Sequence, residues 1–227
     1  MRDLILYFAF AGLPIVSFWL QQEAYPETPF YASMLVVFLI ILVWMKSYYK
    51  DKSHAKLVDF DENLHASSFL WIIGGIVACY IVASVIVRTF ATSALVIPRH
   101  MAEISYFGFQ LSPMWNDVLF QMALVATAEE LSKVVVMLAI YMRLKSAKFG
   151  DGLSRLVSIV VPIFFWAMMH VYRNPAYQGA NMIVIVAAAF VAGLIIYGVM
   201  YKTKNLLGAI LTHAGYNILI ILLISAA

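Results

Sequence analysis

Apolar residues come in long blocks, separated by short polar connections, over the whole 227-residue chain. Seven blocks approach the length of a membrane-crossing helix: about 4–20, 31–48, 69–87, 116–142, 156–172, 181–201 and 206–226. About 20 helical residues at 1.5 Å each cross roughly 30 Å of hydrocarbon. The pattern predicts an all-α, polytopic transmembrane helical bundle of about seven spans, forming a single integral membrane domain over 1–227. One connection differs from the rest. Between Thr89 and Trp115 it mixes Pro98 and Pro113 with Phe90, Tyr106, Phe107, Phe109 and Trp115. Such a mixture suits the membrane interface, either as an ordinary amphipathic loop or as an interfacial helix at about 98–115.

Composition agrees with the blocks. Hydrophobic residues make up 64% of the chain and charged ones 12%, with mean hydropathy +0.89, too apolar for a soluble domain to hide. Arg2 ahead of the first block resembles a secretory signal, but "QQEAYPETP" offers no small-x-small cleavage site, so the block is read as retained. The single Cys79 lies within the third block and excludes an intrachain disulfide. No internal repeat, low-complexity tract or soluble domain is visible.

Charge sets the orientation. With the N-terminus cytoplasmic, Arg2, Lys46, Lys50, Lys52, Lys56, Arg143, Lys145, Lys148, Arg155, Lys202 and Lys204 all fall inside, 11 of the 15 Lys and Arg. Cytoplasmic retention of such residues predicts an inside N-terminus and an outside C-terminus. The net charge of +3 is then a topology signal, and no nucleic-acid partner is expected.

Against this background the stretch "ATAEELSK" stands out, because it puts Glu129, Glu130 and Lys133 inside the fourth block. Measured from the nearest inner basic residue, Glu129, His170 and Asn217 lie roughly 21, 22 and 20 Å deep, and His213 roughly 14 Å. Allowing for side-chain reach, polar groups from three spans share a layer. Spacing adds that Glu129 and Lys133, Trp166 and His170, and His213 and Asn217 are i,i+4 pairs, each on one helix face. Ionisable groups in hydrocarbon cost several kcal/mol unless paired or hydrated, so these stripes are expected to face the bundle interior. A lone membrane histidine is often a packing residue, and Glu129 with Lys133 alone would be a neutralised structural pair. One lysine, however, cannot neutralise two glutamates, and the second carboxyl needs a proton, a histidine or water.

Two carboxyls, two imidazoles and an amide suit peptide hydrolysis, which needs a base for water, donors for the oxyanion and an acid for the leaving amine. No Gly-x-Ser-x-Gly elbow, His-Glu-x-x-His helix or phosphate-binding glycine loop is present. Zinc held by Glu129, His170 and His213 is compatible with composition. A metal-free, cofactor-free site is favoured, because Asn217 is a poor zinc ligand but a good N–H donor one turn after His213.

The order Glu-Glu, aromatic-x-x-x-His ("WAMMH") and His-x-x-x-Asn ("HAGYN") on successive spans resembles the CAAX protease and bacteriocin-processing (CPBP, or Abi) family, which includes the type II CAAX prenyl endopeptidases. "GLIIYGVMYKTKNLLGAILTHAGYN" is similar to that family's last motif region, and the resemblance covers approximately 116–226, the family-like catalytic core. It implies a glutamate-dependent intramembrane endopeptidase. Glu129 or Glu130 would activate water, Glu129 being favoured by family position, and His170, His213 and Asn217 would complete the site, with Lys133 and Trp166 supporting. Two departures stand out. The family pattern is Glu-Glu-x-x-x-Arg, where this chain has Val134 preceded by Lys133, and Trp166 replaces the second motif's Phe. "EELSK" in this respect resembles the PrsW membrane proteases, although those carry Glu rather than His in the second motif. The implied partners are the lipid bilayer and a peptide or membrane-anchored protein substrate, whether prenylated or leader-bearing. The rival reading is a non-catalytic membrane protein, a proton-coupled transporter or a partner-binding relative, since Glu and His also build proton relays. A transporter would favour an internal repeat, which is not seen.

Overall fold

The computed structural model describes residues 64–91, 105–106, 109–110, 126–172 and 181–225. Within them lie five helices, α1 (Ala66–Phe90), α2 (Ala126–Ser146), α3 (Asp151–Tyr172), α4 (Met182–Thr203) and α5 (Leu206–Ser225), and two two-residue strands. Three of these helices, over Ala66–Phe90, Asp151–Met168 and Met182–Thr203, are long and apolar enough to cross a membrane. Two of the seven expected blocks, at 4–20 and 31–48, lie outside the described residues. Helix α3 starts at Asp151, five residues before its expected span. The expected interfacial helix at 98–115 is not what its described residues form: β1 (Ser105–Tyr106) pairs antiparallel with β2 (Phe109–Gln110).

In the bundle, α1 packs on α4 and α5, α4 on α3 and α5, and α2 on α3 and α5. The buried residues of α1 explain its seat. Ser68, Ile72, Gly75, Cys79 and Ala83 recur every three or four positions and form one stripe. Phe69, Leu70, Trp71, Ile73, Val77, Ile81 and Val85 point away from the bundle and are exposed, as lipid-facing side chains are. Between apolar helices in lipid, close packing rather than water exclusion supplies most of the attraction, so small residues collect at contacts. A Cβ on Gly75 would come within 2.5 Å of Val199 and 2.9 Å of Thr212, a separation only glycine permits.

Two tight connections set the helices around the polar layer. Between α2 and α3, Lys148 takes a left-handed conformation. The Asp151 carboxylate there accepts from Tyr141 and from Arg155, each at 2.7 Å. Between α4 and α5, Lys204 is also left-handed, and the Leu207 N–H donates to the Asn205 side chain at 2.8 Å, an N-cap for α5. That short turn fixes the register in which α5 returns along α4 and carries His213 and Asn217 back towards α2.

Candidate active site

Glu129 and Glu130 are adjacent on α2, about 100° apart around the helix, and only 3% and 4% exposed. Their surroundings differ. Glu130 Oε1 receives Lys133 Nζ at 2.6 Å and His213 Nδ1 at 2.7 Å. A carboxylate oxygen approached by an ammonium is an acceptor, so the imidazole nitrogen facing it is the N–H. His213 is thereby oriented, and its Nε2 lies 3.7 Å from Glu129 Oε2, too far for a direct hydrogen bond.

Glu129 instead takes its hydrogen bond from α3, where the Trp166 indole Nε1–H donates to Oε2 at 2.7 Å. Trp166 is the hub of the cluster. Lys133 Nζ stands 3.8 Å from the centre of its ring, and His170 and His213 meet it edge to face with centroids 4.6 and 5.4 Å away. Beneath it pack Ala167 of α3 and Ala189 of α4. The indole has room because position 193 is glycine: a Cβ there would sit 2.6 Å from Ile163 and 3.1 Å from the Trp166 ring.

His170 is half-buried, and its Nδ1–H donates to the Trp166 backbone carbonyl at 3.0 Å. In neutral imidazole this assigns Nε2 as the nitrogen able to take a proton. Asn217 is half-buried on α5, one turn beyond His213. Glu129, Glu130, Lys133, Trp166, His170 and His213, all singled out in the sequence, are thus joined by contacts across α2, α3 and α5.

Residues 111–219 match the family model of type II CAAX prenyl endopeptidases, Rce1-like. The match covers just under half of the chain, and over that segment the chain is similar to the CAAX prenyl endopeptidases. Its long apolar helices make it an integral membrane protein, and no curated protein and no solved structure matches it.

The spacing left open which glutamate Lys133 holds. Its ion pair with Glu130 is made at i,i+3, a spacing that lies on the same helix face as i,i+4. His213, the shallowest residue by distance from the inner basic residues, touches Glu130 directly. That ruler assumes equal starting depth for every helix, and the α4–α5 turn does not respect it. The direct bond from Trp166 to Glu129 was missed in the sequence, although a buried indole N–H needs an acceptor and is itself a signal to seek one. Among the described residues, no group of three His, Cys, Asp or Glu side chains is arranged to hold a metal ion.

Proposed function

We propose that this protein is a glutamate-dependent intramembrane endopeptidase that cleaves a peptide bond in a prenylated, leader-bearing or membrane-anchored substrate. The observation that carries the reading is the unequal treatment of two neighbouring buried carboxylates. Glu130 has two cationic or N–H partners on one oxygen, which suits a fixed structural charge. Glu129 accepts from the neutral Trp166 indole and lies 3.7 Å from His213 Nε2, which suits a base.

In this mechanism Glu129 takes a proton from water as the water oxygen attacks the scissile carbonyl, with His170 Nε2 as the second acceptor beside it. The carbonyl oxygen becomes an oxyanion, stabilised by N–H groups of His213 and Asn217. In its donor form His213 is doubly protonated, and Glu129, Glu130, Lys133 and His213 then sum to zero charge, which a low-dielectric interior favours. The tetrahedral intermediate collapses, the C–N bond breaks, and protonated Glu129 returns its proton to the leaving amine. The reaction uses no metal and no cofactor. A proton relay would string its groups along a path, whereas this set converges around one indole, which favours chemistry at a point.

The test is cleavage of a quenched fluorescent peptide with a farnesylated CAAX tail by purified protein, together with comparison of membrane-protein cleavage products in cells carrying wild type or Glu129→Gln. Loss of product in the variant supports the reading. Cleavage unchanged by Glu129→Gln and Glu130→Gln alike removes it.

A further inference from the structure

The proposed mechanism leaves open how a single lysine serves two buried carboxylates. The contacts around Trp166 answer this. Lys133 reaches Glu130 directly at 2.6 Å. It stands at the same time 3.8 Å from the centre of the indole whose N–H donates to Glu129 at 2.7 Å. A cation against the ring is attracted by its π electrons and draws density from them, which makes the N–H a stronger donor. The charge of Lys133 is therefore felt by both glutamates, by one through an ion pair and by the other through a polarised ring.

We propose that Trp166 is a positioning residue for the catalytic base, locking the Glu129 carboxylate through its indole N–H and coupling it to Lys133 through its ring. The inference rests on the reading of Glu129 as base and goes beyond it. Three features show a built arrangement. Trp166 is 5% exposed, so its N–H cannot turn to solvent. Its ring packs at a steep angle against both histidine rings. Gly193 on α4 supplies the space that any side chain would take from it. Trp166, which stands where the second motif has Phe, touches Lys133, the residue before Val134 at the first motif's Arg position. A phenylalanine at 166 would keep the ring but could not donate, and the carboxylate would lose a donor that fixes its plane.

Trp166→Phe removes the N–H while keeping an aromatic ring against Lys133 and the histidines. A hydrogen bond to a charged group sets the scale of the effect, so kcat on the farnesylated peptide should fall about tenfold to a hundredfold. KM should stay unchanged, because the indole is buried and acts through Glu129, and a merely structural role would not produce that split. A second readout needs no turnover. In protein labelled with 15N-tryptophan and held in lipid nanodiscs, the chain's five tryptophans give five indole N–H signals, and the one missing in Trp166→Phe is that of Trp166. It should lie downfield of the others and move upfield in Glu129→Ala. A Trp166 signal indifferent to Glu129→Ala overturns the bond, and Trp166→Phe with wild-type kcat and KM overturns the positioning role. Wild-type protein that cleaves nothing overturns the proposed function and the positioning role with it. That outcome is distinguishable from loss of the bond, which the indole signal reads by itself.

Discussion

Replacing Glu130 by leucine isolates the energetic cost of the cluster from its chemistry. The side chain removed forms an ion pair with Lys133 Nζ at 2.6 Å and accepts from His213 Nδ1 at 2.7 Å, both on a single oxygen. Lys133 and Glu130 side chains are 4% and 5% exposed, so neither partner can be rescued by water without rearrangement. Breaking a buried pair by deleting one member costs about 3–5 kcal/mol, because the other charge is left uncompensated. For a chain of this size, 1 kcal/mol corresponds to about 2–4 °C in Tm, so Glu130→Leu should unfold about 6–20 °C below wild type. Glu130→Gln should fall between the two, since its amide oxygen still accepts from both donors. The informative partner is the double variant Glu130→Leu/Lys133→Met. An apolar pair of similar volume carries no stranded charge, and it should regain most of the lost stability. Thermal unfolding in one detergent, followed by tryptophan fluorescence, measures all four proteins. Glu130→Leu melting within 2 °C of wild type, or the double variant melting no higher than the single one, would refute the view that Glu130 is a fixed charge.

Other consequences follow from single contacts. Glu129→Gln should fold normally and lose nearly all turnover, because the amide keeps the shape of the carboxylate but takes no proton; retained turnover in the peptide assay would exclude Glu129 as base. Asn217→Ala should lower kcat by about 10²–10³ without changing the melting temperature, as expected for one oxyanion donor. Gly193→Val should cost about 1–3 kcal/mol and reduce turnover, since its Cβ meets Ile163 and the Trp166 ring; a variant of wild-type stability would show that α4 does not seat the indole. Zinc at one equivalent in purified protein, with activity lost on chelation and restored on its return, would recast His170, His213 and Glu129 as ligands.

The class of protein was legible in the linear chain, because block length and apolar content are one-dimensional properties and the bilayer thickness converts them directly into spans. So were the polar positions, since a charge in hydrocarbon is conspicuous wherever it falls, and helical periodicity assigns it a face. Pairing was not legible. Spacing allows Lys133 to reach either glutamate, at i,i+3 or i,i+4, whereas its ion pair with Glu130 and the bond to Glu129 from an indole 37 residues away in sequence exist only in the folded chain. The contact of His213 with Glu130 was likewise not readable from its own helix. It is decided by the left-handed turn at Lys204 and by close packing at Gly75, which set where α5 lies against α1, α2 and α4. Sequence determined which groups had to be satisfied within the membrane. Only the tertiary structure decided which group satisfies which, because hydrogen bonds and ion pairs depend on distances of a few tenths of an ångström between helices that the chain order does not measure.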